Sequence, residues 1–433
     1  MRSIFVCLVL GTLSGLAADS SEAQNFLRPT KSNPAADLPA DRFFPRGRKM
    51  IYGGYSGQPA RDLTQGFTIA GPAYHTSNET QSAECDRLNL PHFVQIGAFD
   101  DNSTGKWETI ASLSADEVKR RVAANVKRHL NSPWVVSWAV QPEELRPWRK
   151  DEMAYLKIVC DTIRATDPQQ RPIFLYNPNN RDRETLAPIA ANVDIIAKGC
   201  YANAHGHKDD RAWIRWSIEQ EIEAATKAGP NKQTLVMPLL AADPDPAERS
   251  LIPVWVRHDV YLGLMSGANG MLLWSLHPRA EVKATWQEWY DAYALCGREL
   301  NGERALSQVF LFGERRTDLK VTTVEARPDY PLGAGLANAP EAKTTKAKEG
   351  KTGTLHPWTT FESMYGNAHY FFLANSFPAA TTFRISGIPA QGLRLQSAFT
   401  DQDVKGPEAN QPLEITLKPW EVVAYKFTAS SGK

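Results

Sequence analysis

Eight short apolar runs, each followed by a stretch with helical periodicity, fill residues 49–300 and leave very few folds open to the chain. The runs occupy 50–55, 66–71, 92–97, 134–140, 172–176, 193–199, 234–240 and 270–276. They are continuously apolar rather than alternating, the pattern of parallel strands buried on both faces. Between them, Ser114 and Glu117 have capping-box spacing with Leu113 as the staple. Val118, Val122, Val126 and Leu130 follow as one helical stripe. Met153, Leu156, Cys160 and Ile163 repeat that stripe after the fourth run. Eight such units over about 250 residues make a closed (β/α)8 TIM barrel. An open doubly wound sheet needs a glycine-rich phosphate turn after an early strand. Gly53-Gly54-Tyr55 is too short for that and lacks the third glycine.

The flanks differ in kind. Residues 1–23 begin Met1-Arg2, run apolar over 4–16 and reach Ala17 and Ala18, which predicts a secretory signal peptide cut between 17 and 24. Its apolar core is too short to span a bilayer, and no later segment reaches about 20 apolar residues. The expected location is therefore secreted or periplasmic. Residues 24–48, rich in Pro, Ala, Asp and Arg, have no period and read as a leader. Beyond 301, short segments at 309–312, 319–324, 368–375, 382–385, 393–398 and 413–427 alternate with turns, predicting a small all-β sandwich over 301–433. The stretch 340–351 reads as a mobile loop within it.

Acids and bases nearly cancel, 48 against 49, and no basic stripe emerges, so a nucleic-acid partner is not expected. Cys85, Cys160, Cys200 and Cys296 show neither CxxC nor zinc spacing, and no cofactor or metal is expected.

In such a barrel the site is built where strands end at the C-terminal face. That rule selects Tyr55 after the first run, Tyr74 and His75 after the second, and Gln95, Asp100 and Asp101 at the third. The fourth offers Trp138, Gln141, Glu143 and Glu144; the fifth Tyr176 and Asn177; the sixth Lys198, Tyr201 and Asn203. Asp243 and Asp245 follow the seventh, and Trp274 and His277 the eighth. Amides, aromatics and carboxylates suit neutral hydroxyls and sugar faces, and no glycine-rich phosphate turns follow runs seven and eight.

Residues 134–145 and 263–277, with the segment Gly270-Met-Leu-Leu-Trp274-Ser275, resemble glycoside hydrolases with a (β/α)8 catalytic domain. The terminal Lys418-Pro-Trp420-Glu-Val-Val is similar to their accessory sandwiches. The resemblance implies an acid/base Glu after strand four and, in the commonest clan, a nucleophile Glu after strand seven. The chain departs at both places. Setting Gln141-Pro142 against the family's Glu-Pro puts an amide, which cannot donate a proton usefully, in the acid/base position. Sliding the frame gives that role to Glu143 or Glu144. No Glu lies in 234–240, and Asp243 is the nearest carboxylate.

Simpler readings compete. Pro142-Glu143-Glu144 is the expected opening of a helix, and Asp243-Pro-Asp245-Pro that of a turn. Arg211 and Arg215 either pair with acidic sugar substituents or lie in water at a helix start. Three functions follow: a secreted hydrolase cleaving an oligo- or polysaccharide with Glu143 or Glu144 and Asp243, a non-catalytic glycan-binding barrel, or a metal-dependent hydrolase using His205, His207, Asp209 and Asp210.

Overall fold

The structure is a computed structural model describing residues 22–29, 50–99, 110–203, 208–230, 232–239, 243–278, 282–332, 353–408 and 411–430. Residues 1–21 of the signal-like segment, most of the leader, the 340–351 stretch, Asp100, Asp101, His205 and His207 lie outside the described residues.

The eight runs are eight parallel strands: β1 (Ile51–Gly54), β2 (Ile69–Ala70), β3 (His92–Ile96), β4 (Val135–Val140), β5 (Ile173–Asn177), β6 (Ile195–Gly199), β7 (Gln233–Met237) and β8 (Gly270–Leu273). They close into a barrel, with Ile51 opposite Gly270 where β1 meets β8. Every strand sends apolar side chains inward: Ile51, Ile69, Phe93, Val136, Phe174, Ile195, Leu235 and Leu272 fill the interior. Gly53 permits β1 and β2 to approach, since a Cβ there would sit 2.2 Å from the Ile69 carbonyl oxygen.

A helix follows every strand: α1 (Pro59–Leu63), α2 (Asn78–Leu88), α3 (Ala115–His129), α4 (Lys150–Thr166), α5 (Arg183–Ala190), α6 (Trp213–Ala228), α7 (Ile252–Met265) and α8 (Trp286–Asn301). The stripe of α3 packs with Val94, Ile96 and Val140, which point outward from their strands. Only half of the expected capping box forms. Ser114 accepts from the Glu117 N–H, while the Glu117 carboxylate turns to Arg120 and Arg121.

The 309–312 run is helical rather than extended. It belongs to α9 (Leu306–Phe312), whose Leu306, Val309 and Phe312 are buried on one face, and a short apolar run does not distinguish the two states by periodicity. Then come β9 (Glu314–Arg315), β10 (Lys320–Thr323), β11 (Tyr330–Pro331), β12 (Thr354–Leu355), β13 (Trp358–Tyr365), β14 (Ala368–Asn375), β15 (Thr381–Ser386), β16 (Leu393–Ser397), β17 (Leu413–Leu417) and β18 (Val422–Ala429). A five-stranded sheet, β16-β18-β14-β13-β9, faces the three-stranded β10-β15-β17. Along β14, Phe371 and Leu373 enter the sandwich core while Tyr370, Phe372 and Ala374 join the barrel's outer cluster. That two-sided burial makes β14 apolar throughout. Residues 22–29, which run from the end of the signal-like segment into the expected leader, dock on this sandwich: Phe26 stacks on His369 at 4.1 Å, and Arg316 donates to the Arg28 carbonyl.

Cys85, Cys160, Cys200 and Cys296, the cysteines among the described residues, are buried free thiols, and burial pushes Cys85, Cys160 and Cys200 up to about 12. Among the described residues no helix is long and apolar enough to cross a membrane.

Candidate functional site

Because the strands are parallel and their interior positions alternate, the residue just beyond each inward strand end emerges at one mouth of the barrel. Tyr55, Tyr176 and Tyr201 sit directly above the interior cluster, with Tyr74, Leu239 and Trp274 packed on it. Trp274 is the hub. Its ring lies 4.8 Å from Tyr55 and 4.9 Å from Tyr74, both edge-on, and 6.3 Å from Tyr176, stacked. Tyr176 and Tyr201 are stacked in turn, and their hydroxyls share a 2.8 Å hydrogen bond. His75 and His277 stack at 3.9 Å on the more exposed rim.

Glu143 reaches this aromatic cup from β4. No helix begins at Pro142; α4 starts only at Lys150. Instead the Gln141–Pro142 peptide is cis and Glu144 has φ of +58°, a left-handed conformation that few side chains adopt. Backbone bonds hold the bend: the Glu144 N–H donates to the Tyr176 carbonyl at 3.2 Å, and Arg181 donates to the Glu144 carbonyl at 2.9 Å. The Tyr55 hydroxyl donates to Glu143 Oε1 at 2.8 Å.

Glu143 is 3 % exposed. Burial pushes its carboxyl up to about 8; the Glu144 charge adds to the shift, while the Tyr55 hydrogen bond and the neighbouring Gln141 amide oppose it. Burial, then the Glu143 charge, drives the Tyr55 phenol far above its ordinary range. Burial also raises Tyr176 and Tyr201, with Glu143 and Glu144 contributing to both. The result is an aromatic cup around a carboxyl that keeps its proton at neutral pH.

Gln95 and Gln141 also belong to the mouth, by register. Gln95 follows Phe93 on the inward face of β3, and Gln141 follows Ala139 on that of β4. Both are buried; the Gln95 amide has no hydrogen-bond partner, while the Gln141 amide lies beside the Glu143 carboxyl. They border a cavity of about 520 Å³ together with Asn78, Asn125 and Arg128.

Five expected site residues are placed elsewhere. Trp138 points outward, donating through Nε1 to Asp167 at 2.9 Å beneath the helices. Asn177 is turned outward as well; its amide donates to the Leu175 and Ala197 carbonyls and accepts from Arg181. The Lys198 ammonium donates to the Arg181 carbonyl and lies 4.3 Å from the Trp216 ring. Period-2 alternation explains all three, since each neighbours an inward residue in its strand. Asn203 Oδ1 is held by Arg211, and Arg211 is buried against Asp259 rather than available to a ligand. Arg215 pairs with Glu219 at 2.7 Å. Asp243 is exposed, and its oxygens accept from the Ala284 and Thr285 N–H groups at the start of α8. Sequence reasoning also missed Met237 and Leu239, which carry the seventh strand to the mouth as apolar surface. The missing strand-seven Glu was their signal.

No protein-family model matches the chain, and no curated protein matches it in sequence. Its architecture, in contrast, matches solved structures over nearly its whole length. An α-amylase from Geobacillus thermoleovorans, complexed with acarbose, aligns with TM-score 0.52 and 9 % identity over 89 % of this chain and 100 % of that one. An Anoxybacillus α-amylase gives TM-score 0.52 and 9 % identity over 89 % and 98 % of the two chains. A GH27 β-L-arabinopyranosidase from Geobacillus stearothermophilus gives 0.51 and 9 % over 91 % and 100 %. The fold is glycoside-hydrolase-like. A (β/α)8 barrel with a C-terminal β domain is thus shared with those enzymes, and at this identity the likeness extends to architecture alone.

Proposed function

We propose that the chain is an exported glycoside hydrolase in which Glu143 is the proton donor. The observation that carries this reading is a buried carboxyl, pushed up to about 8, seated at the mouth of the barrel inside a cup of Tyr55, Tyr176, Tyr201 and Trp274. A carboxylic acid that keeps its proton at neutral pH can give it to a glycosidic oxygen as the C1–O bond breaks. Aromatic faces bind the apolar faces of sugar rings. Glu144, the other carboxylate at this bend, takes the complementary role: its charge stabilises the developing oxocarbenium and accepts the proton of the water that adds to C1. Asp243, committed to the start of α8, has no part in this scheme. The signal-like first 23 residues support export, and sequencing the N-terminus of the mature protein tests it.

Reducing-end release from a panel of neutral and acidic polysaccharides tests the hydrolase. Glu143→Gln is expected to lower turnover by about 10²–10⁴-fold with glycan binding retained. Saturable glycan binding without turnover by the natural chain would overturn catalysis and leave a glycan-binding barrel. One observation favours that second reading: strand seven brings Met237 and Leu239, not a carboxylate, to the mouth. His205 and His207 lie outside the described residues, among which no observation favours the metal-dependent hydrolase. Among the described residues the grouping with ligand-like geometry is Asp318, Glu362 and His369 in the sandwich. There His369 is engaged by the Phe26 carbonyl and Glu362, and Glu362 by two backbone N–H groups.

A further inference from the structure

We infer that Trp148 is a stacking platform for a second sugar unit, so that the barrel mouth takes a glycan chain rather than a single ring. The inference rests on the proposed glycan site and deepens it by naming the substrate class. Trp148 lies between the bend at Glu144 and the start of α4 at Lys150. Helices of such a barrel start on the face where the strands end, so this connection belongs to the mouth side. The segment is fixed. The Arg149 N–H donates to the Arg146 carbonyl at 2.9 Å and closes a β-turn, with Pro147 at the position whose φ a proline presets. The Arg146 N–H and Nε donate to the buried Glu152 of α4 at 2.6 and 2.7 Å, and Leu145 is fully buried. Nothing in this turn requires an indole at its third position. Yet Trp148 stands there 46 % exposed, more than any other large apolar side chain among the described residues. Arg181 ties it to the site: its guanidinium lies 5.9 Å from the Trp148 ring centre and donates to the Glu144 carbonyl at 2.9 Å. One guanidinium thus separates the indole from the bend that carries Glu143.

The surroundings of the ring select its occupant. Arg149, Lys150 and Asp151 are charged and exposed, so the indole is an isolated apolar face. The contiguous apolar patch that a protein partner needs is missing around it. A single sugar ring matches such a face, covering the indole with its C–H side while its hydroxyls stay in water. Tyr55, Tyr176 and Tyr201 are buried inside the mouth, whereas Trp148 stands in water beside it. The cup and the platform therefore hold different units of one chain. Stacking of the outer unit supplies binding energy remote from the bond to be cleaved, and that energy orients the bond at Glu143.

The test is calorimetric titration of the full chain carrying Glu143→Gln, to suppress turnover, with and without Trp148→Ala. The probes are gluco-, galacto-, manno-, xylo- and uronic-acid oligosaccharides of increasing length, from the monosaccharide upward. Affinity is expected to step up once a ligand is long enough to reach the indole. Trp148→Ala is expected to erase that step, weakening the longer ligands about 10-fold, and Trp148→Tyr to restore most of it. With Glu143 in place, Trp148→Ala is expected to raise KM for the longer oligosaccharides by a similar factor, a readout that does not depend on the amide variant. Equal affinity for the longer ligands with and without the indole overturns the inference. So does an equal loss on the monosaccharide, which would place the effect in the cup, through Arg181 and Glu144. If no oligosaccharide of any length binds, the glycan site itself falls. The Tm of Trp148→Ala is expected to stay close to that of the natural chain, since an exposed ring on a turn carries little packing. A clear drop would assign the indole to the fold and overturn the platform.

Discussion

Two regions of this molecule bury polar side chains, and they treat them in opposite ways. At the junction of barrel and sandwich one network of four side chains closes on itself. His258 on α7 bonds Ser376 at 2.9 Å and Asp259 at 3.0 Å, and Asp259 also accepts from Arg211, which sits 5.1 Å from the Trp255 ring. The Ser-His-Asp order imitates a hydrolytic triad, yet His258 and Ser376 are fully buried and the guanidinium occupies the carboxylate. It is a joint between domains. At the mouth, the Gln95 amide is unpaired and Glu143 is held far from its ordinary pKa. Closed networks mark architecture, while uncompensated desolvation marks the place left for a ligand.

The most severe test of that contrast is at the mouth. Glu143→Gln is expected to remove most turnover without unfolding the protein. In the natural chain the acid must be protonated to work, so rate is expected to fall as pH rises through about 8. A rate that instead climbs through that range would assign Glu143 to base chemistry. Next in size is the joint. Arg211→Ala leaves Asp259 buried without its cation, and a loss of about 3–5 kcal/mol is expected in denaturant unfolding. A small loss would show that the junction tolerates open partners as the mouth does.

The same carboxyl also makes a prediction for stability. Its folded value, about 8, lies above the ordinary 4.5. Between those pH values the folded chain holds a proton that the unfolded chain has released, so stability falls as pH rises across the window. Glu143→Gln removes that contribution, so its Tm advantage over the natural chain is expected to widen from pH 5 to pH 8. Parallel Tm curves would mean that the carboxyl does not carry the strain described at the mouth.

What was legible in the sequence follows the same physics. All eight strands could be located because parallel strands are apolar on both faces. For that same reason inward and outward positions could not be told apart. By position alone Trp138, Asn177 and Lys198 fall at strand ends, yet each lies beside an inward residue, Ala139, Tyr176 or Ala197, and so faces outward. Strand β13 was invisible because Glu362 and Ser363 interrupt its apolar pattern. Both are buried all the same, since Glu362 accepts from the Asp318 and Leu319 N–H groups and from His369. Glu143 stands out as chemistry, but its raised proton affinity comes from burial, opposed by a hydrogen bond from Tyr55, 88 residues away, and neither shows in the sequence around it.

The smallest expected effect separates the two regions from a third kind of polar group, the solvated cap. Asp243 is exposed, and hydrogen bonds from Thr285 and Ala284 hold its carboxyl below the usual range. Water solvates whatever Asp243→Asn leaves unpaired, so the cost is only that of a weakened cap, about 1 kcal/mol or less. Turnover and glycan affinity are expected to stay unchanged. A loss of turnover comparable to that of Glu143→Gln would return Asp243 to the mouth as the second carboxylate. It would also show that a capping acid at the rim moves inward when a sugar binds.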